Sequence, residues 1–190
     1  MLNTQSTYFD LKSPQTKHNR GAFTRCYRNP NFDYVILYSV DMLKEVYSLW
    51  LKQYDENGKN KHLPEIERIG QNWYIMPKYR PLSPKYKKAW EQYRKLVNTA
   101  ANYRFYNPGY NYHLHVKFAE QYRNIDENIS YAMLTLLNCA SNATGELYFD
   151  DQQANFSVDN DGNLILRDLY VNMNNETLPT RAKITFKTYE

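Results

Sequence analysis

The run YFDDQQANFSVDNDGNLILRDLY, residues 148–170, carries the strongest structural signal in this chain. Asp150 and Asn155 lie five positions apart, and Asp168 follows later in the run. Between Asn155 and Asp168, the apolar runs FSV and LIL flank a turn of Asp, Asn and Gly residues, which is typical of a β-hairpin. We therefore expect the two strands to place three oxygen-bearing side chains close together at one end of the hairpin.

A simpler interpretation of the same residues remains open. Any antiparallel hairpin favours Asp, Asn and Gly at its turn because these residues tolerate the backbone conformations that turns require. The upstream sequence has to decide between a functional site and an ordinary hairpin.

The upstream segments predict a small antiparallel sheet with one helix. Residues 20–40 show a strand, a turn at Asn29-Pro30-Asn31 and a second apolar strand. Residues 40–54 place Met42, Val46, Leu49 and Trp50 at helical spacing, which predicts a helix. Residues 62–83 predict two further strands joined by a turn at Gly70-Gln71-Asn72.

In this order the elements resemble the protein-kinase-like fold, most closely the compact early-gene kinases of short-tailed bacteriophages. The resemblance covers about residues 20–171 and is most specific around Asp150 to Asp168, which includes the loop from Phe149-Asp150 to Asn155. In protein kinases the loop Asp accepts the substrate hydroxyl proton, and the Asn and a later Asp hold magnesium. The resemblance implies that Asp150 is the catalytic base and that Asn155 and Asp168 are metal ligands.

The resemblance also implies a nucleotide-binding set and cofactors. Gly21 would lie in the hairpin that covers the nucleotide, Met76 and Lys78 at the hinge, and Glu45 on the small-lobe helix. If the protein is active, the implied cofactors are ATP and magnesium. If it is not, no cofactor is implied.

The sequence departs from the kinase pattern at several supporting positions. Leu37 stands where the strand lysine that pairs with phosphates is expected, and a leucine cannot pair with phosphates. Lys44 or Lys52 of the helix could supply a relocated cation, and Glu45 could be only a solvated helix residue. Tyr148-Phe149 replaces the usual His-Arg, and only 22 residues (190 minus 168) follow Asp168.

The predicted fold class is α+β, a minimal two-lobed kinase-like fold. Residues 1–19 would be a mobile segment, residues 20–76 a β-rich small lobe with one helix, and residues 77–190 the hinge and a reduced helical large lobe. That lobe includes an amphipathic helix over residues 126–143, with Ile129, Met133, Leu136, Leu137 and Ala140 on its buried stripe. It also contains the catalytic-loop hairpin.

The composition indicates the type of cellular compartment and the possible classes of partner. The two cysteines, Cys26 and Cys139, lie far apart, which indicates a reducing compartment, and no apolar run is long enough to span a membrane. The net charge of +4 is mild, but the 19 tyrosines include rings interleaved with Lys and Arg over residues 78–95. Such a run can pack in the core, bind a protein or, with lower priority, bind nucleic acid.

Two functions remain open from the sequence. The first is a phage-type pseudokinase or degenerate kinase that binds and inhibits or modulates a host protein in the host cytoplasm, in host takeover or anti-defence. The second is an active Ser/Thr kinase that phosphorylates host proteins. The absent strand lysine places the first slightly ahead.

Overall fold

The computed structural model describes residues 9–21, 23–55, 60–103, 112–143 and 147–172. They form a mixed α+β structure, which confirms the predicted class. The helices are α1 (Met42–Tyr54), α2 (Lys87–Ala100), α3 (Tyr112–Tyr122) and α4 (Glu127–Ala140). The strands are β1 (Lys17–Arg20), β2 (Thr24–Arg28), β3 (Tyr34–Ser39), β4 (Glu67–Gly70), β5 (Trp73–Pro77), β6 (Arg80–Pro81), β7 (Leu147–Phe149), β8 (Phe156–Val158), β9 (Leu164–Leu166) and β10 (Tyr170–Asn172).

The first five strands form one antiparallel sheet in the order β1-β2-β3-β5-β4. The predicted strands and turns of residues 20–40 and 62–83 are confirmed by the β2–β3 and β4–β5 pairings. Asn72 has a φ of 62°, a left-handed conformation that asparagine tolerates better than most residues. The sequence therefore specifies the centre of this sheet well.

Strand β1 lies partly inside the segment expected to be mobile. Residues 17–19 of that segment belong to β1, and β1 pairs antiparallel with β2. All four of its side chains are exposed, so it lacks the alternation of apolar and polar residues that marks a strand in sequence. Residues 1–8 of that segment lie outside the described residues.

Helix α1 forms as predicted, and of the four residues at helical spacing Val46 is buried and Trp50 packs against the core, whereas the other two are exposed. Asp41 caps the helix, because its side chain accepts a hydrogen bond from the Leu43 amide at 3.0 Å. Leu49 is 53% exposed and Met42 is 38% exposed. The buried side chains are Leu43, Lys44, Val46, Tyr47 and Leu51.

The second half of the chain contains helices α2, α3 and α4 and the predicted hairpin, whose strand β9 contacts α2. Strands β8 and β9 pair with Phe156 opposite Leu166, and Gly162 takes a φ of 83° in their turn, so this hairpin is confirmed. Helix α4 begins after its cap Asp126, and every residue of its predicted stripe is buried. Residues 112–116 form the start of helix α3. His115 is buried and His113 is exposed.

One hydrophobic core joins the five-stranded sheet to the helices. Val35 and Leu37 of β3, Leu43 and Leu51 of α1, and Leu136 of α4 all belong to it. Cys26 and Cys139 are free thiols. Among the described residues, no helix is both long and apolar enough to cross a membrane.

Candidate functional site

A cleft of about 640 Å³ lies between the five-stranded sheet and the loop that leads into β8. Its apolar lining includes side chains of β3 and β5 on one side and Phe156 on the other. This size falls within the usual range for pockets that bind small molecules. The lining residues are Asn19, Arg20, Gly21, Thr24, Cys26, Arg28, Val35, Leu37, Lys44, Met76, Pro77, Tyr79, Pro81, Leu82, Gln153, Ala154, Asn155, Phe156, Ser157, Arg167 and Asp168.

Lys44 enters this cleft from helix α1. The rotation of α1 that buries Leu43 and Val46 also points Lys44 inward, and Lys44 is only 3% exposed. Its ammonium group forms an ion pair with Oδ1 of Asp168. Leu37 lines the same cleft, so the helix supplies a cation to the cavity in which the strand carries a leucine.

Burial determines how Lys44 titrates. It lowers the pKa of the Lys44 ammonium to about 8, an effect that the carboxylate of Asp41 opposes and the guanidinium of Arg167 reinforces. At neutral pH the side chain therefore remains mostly charged. A buried charge is costly unless it has a partner, so Lys44 depends on Asp168.

Asp168 lies just beyond β9 and contacts two cations. Its Oδ1 pairs with Lys44, while its Oδ2 lies 3.7 Å from Nε of Arg167. The Asp168 side chain is 31% exposed, far more than Lys44. Its backbone is fixed, because the carbonyl of Asn155 accepts hydrogen bonds from the amides of Arg167 at 3.0 Å and Asp168 at 3.1 Å.

The loop before β8 brings Asn155 next to Asp168. Asn155 ends a short 3-10 helix, Gln153–Asn155, and it lines the cleft. The Gln153 side chain donates to the Leu82 carbonyl at 2.8 Å, which ties this loop to the segment after β6. Two of the three polar residues from the run at 148–170 therefore meet in one cavity.

Asp150 has a different placement. Its amide donates to the Leu169 carbonyl at 2.9 Å, next to Asp168 in the chain. Its carboxylate accepts a hydrogen bond from the Gln152 amide at 3.2 Å, which closes a local turn. Asp150 is half-buried, and it is not one of the described residues that line the cleft.

The four residues expected to bind nucleotide separate into two groups. Gly21 and Met76 line the cleft. Glu45 is on the surface in an ion pair with Arg68 at 3.0 Å, because the face of α1 that buries Lys44 turns its neighbour outward. Lys78 is exposed, and its side chain also lies outside the described lining of the cleft. Its backbone amide donates to the Asp33 carbonyl at 2.6 Å.

The charged side chains of the lining are unbalanced. Arg20, Arg28, Lys44 and Arg167 are cations, whereas Asp168 is an anion. Sequence reasoning missed Arg20, Arg28 and Arg167, although the position of Arg167 directly before Asp168 was a usable signal. A cavity with this excess of positive charge attracts anions, and phosphate groups match both ammonium and guanidinium donors.

Magnesium in nucleotide sites is usually held by one or two carboxylates together with substrate phosphates. Among the described lining residues, the cleft offers one carboxylate, Asp168, and the side-chain amides of Asn19, Gln153 and Asn155. Each oxygen of Asp168 already faces a cation, and no cluster of three His, Cys, Asp or Glu side chains suited to a metal occurs in the described parts of the chain. The arrangement does not fit a magnesium ion unless Lys44 or Arg167 moves away.

The cleft can thus hold an anionic ligand on cations that come from both of its sides. Comparison with known proteins adds no identification: no family model, curated protein or solved structure matches the chain.

Proposed function

We propose that this protein is a degenerate, phage-type kinase-like protein whose cleft binds the phosphates of a nucleotide such as ATP. It acts in the host cytoplasm by binding a host protein and inhibiting or modulating it. Nucleotide binding is the part of the proposal that the cleft supports most directly, and the host partner is the part that the surface supports.

The order of the elements supports the kinase-like part of the proposal. Helix α1 lies between β3 and β4 in the chain, and β5 leads through residues 78–86 to helix α2. The hairpin β8–β9 then carries Asn155 before its first strand and Asp168 after its second. A two-lobed kinase-like arrangement would place a nucleotide in the cleft between these two parts.

Lys44 is the observation that carries nucleotide binding. A kinase-like cleft needs a cation for the phosphates, and Leu37 cannot supply it. Lys44 reaches the cavity from the neighbouring helix and meets Asp168 there. This is the relocated cation that the sequence left open, while exposed Lys52 lies outside the described cleft lining.

Two features support loss of catalysis. The Asp150 carboxylate is engaged in a local turn and lies outside the described lining of the cleft. Asp168, the expected metal ligand, has a cation at each oxygen. General-base catalysis requires a base within reach of the reacting hydroxyl, so this arrangement favours a binding role.

Thermal denaturation with ATP tests nucleotide binding. A ligand that binds only the folded state raises its melting temperature, and at 100 times Kd the gain is about 2.7 kcal/mol. For a chain of this length we expect a rise of about 5 to 10 °C. No rise at millimolar ATP would contradict the proposal.

The surface over residues 78–95 supports the host-protein part. Lys87, Arg94 and Lys95 are exposed on α2, whereas Trp90 and Tyr93 pack partly against the core. Charge reversal of those three cations should weaken capture of the host protein without unfolding the chain, because surface substitutions usually change stability little. Recovery of bulk nucleic acid that moderate salt releases would instead indicate a polyanion-binding surface.

An active Ser/Thr kinase is the second candidate. The observation that favours this candidate is the backbone hydrogen bond from Asp150 to Leu169, which keeps the expected base close to Asp168. Phosphate transfer to a host protein by the wild-type chain, lost in Asp150→Asn, would establish this candidate in place of the first.

A further inference from the structure

The strongest further feature of the cleft is the way two cations cover Asp168, the one carboxylate among its described lining residues. Lys44 contacts one oxygen of Asp168, and Nε of Arg167 lies 3.7 Å from the other. A metal ion that bound Asp168 would meet two positive charges at close range. Bringing a divalent cation there costs repulsion with both.

Neither cation is free to leave easily. Lys44 is 3% exposed and projects from the middle of the buried face of α1, so its ammonium has little room outside the cleft. The guanidinium of Arg167 donates to the carbonyl of Ala154, which anchors it beside the loop that carries Asn155. Two anchored cations make a preformed binding surface for an anion.

Arg167 also keeps an unused donor. Its Nε–H is buried and has no hydrogen-bond partner among the described residues, because 3.7 Å is too long for a hydrogen bond to Asp168. A buried donor without a partner costs free energy that a bound acceptor would recover. A phosphate oxygen is such an acceptor.

From these contacts we infer that the cleft binds nucleotide phosphates directly on Lys44 and Arg167, without a metal ion between protein and phosphate. This inference rests on the proposed nucleotide binding and specifies how it occurs. The two side chains supply the positive charge that magnesium supplies in the kinases the chain resembles. Asp168 is then the counter-ion of Lys44 when no nucleotide is bound, competes with phosphate for that cation, and is not a metal ligand.

The first test compares ATP binding with and without metal. The wild-type protein should bind ATP in excess EDTA with an affinity within about threefold of that in magnesium, as measured by calorimetry. Binding seen only in magnesium would overturn the inference and leave the proposed function standing. No binding in either buffer would overturn both.

The second test asks whether Asp168→Asn strengthens or weakens ATP binding. If Asp168 held a metal, Asp168→Asn would lose ATP affinity. If phosphates bind the cations directly, removing a nearby negative charge should tighten ATP binding in EDTA by about threefold. Unchanged or weaker binding by a folded Asp168→Asn variant would contradict the inference. If that variant does not fold, the wild-type comparison in EDTA decides alone.

Discussion

Asp168→Asn is expected to lower the free energy of unfolding by about 3 kcal/mol at pH 7, because it leaves a buried ammonium without its partner. Lys44 is 3% exposed, and its ion pair with Asp168 is the contact that compensates its burial. Urea unfolding of the wild-type and variant proteins measures the difference. Because asparagine has nearly the same volume as aspartate, a packing defect contributes little.

The reciprocal change provides the matched control. Lys44→Met leaves Asp168 31% exposed and still near Arg167, so its carboxylate keeps water and a cation as partners. Replacing a buried ammonium with an apolar chain of similar length should cost less than about 1 kcal/mol or stabilise the fold. Equal losses in the two variants, or the larger loss in Lys44→Met, would contradict the arrangement of this ion pair.

The loss of stability caused by Asp168→Asn should become smaller at high pH. The pKa of Lys44 is lowered to about 8 in the folded protein, below its ordinary value of 10.5. Without Asp168 the folded state holds that proton still less well than the unfolded state, so the variant gains stability as pH rises toward 10.5. Above about pH 10 the lysine is neutral in both folded proteins, and the difference between them should shrink.

Leu51→Ala is expected to destabilise the fold by about 3 kcal/mol, because it removes a buried side chain and leaves a cavity. Leu51 is 6% exposed and belongs to the core shared by the sheet and the helices. The measurement is again urea unfolding. This variant tests the rotation of α1 that sends Lys44 into the cleft.

Leu49→Ala is the matched control, with the same substitution two residues away on the same helix. Leu49 is 53% exposed, so its truncation should change stability by less than about 1 kcal/mol. Leu49 is one of the residues whose spacing predicted the helix, but the structure exposes Leu49 and buries Leu51. A larger loss for Leu49→Ala than for Leu51→Ala would show that α1 has the opposite rotation.

The elements that sequence predicted best are those with two agreeing signals. The β8–β9 hairpin combines apolar runs with a turn of Asp, Asn and Gly, and its Gly162 takes the positive φ that favours glycine. Helix α4 combines an Asp cap with a regular apolar stripe, all of it buried. Local turn and cap chemistry agrees with the packing in both cases.

The features that sequence missed depend on tertiary contacts. Helix α1 offers apolar residues on more than one face, so its spacing alone did not fix which face packs against the core. The lysine that it buries is stabilised by Asp168, more than 120 residues later in the chain. Strand β1 is polar and exposed, and its pairing with β2 gives it strand structure.

Only the part of the candidate site that lies at the ends of the β8–β9 hairpin could be predicted from the sequence. Asn155 and Asp168 follow from the hairpin, since the ends of paired strands lie together. Glu45 and Lys44 are sequence neighbours on a helix, so one enters the cleft only if the other does not. The choice between them depends on the rotation of α1, which the spacing of its apolar residues does not fix.

Calorimetric titration of ATP into Lys44→Met, with Lys52→Met as the control, tests the central claim most directly. Both lysines lie on α1, but Lys44 is buried in the cleft and Lys52 is exposed outside its described lining. Loss of a buried cation that contacts phosphate should weaken ATP binding by at least about tenfold, while Lys52→Met should bind like the wild type. Equal affinity in the two variants, with both folded, would contradict the assignment of Lys44 as the phosphate-binding cation.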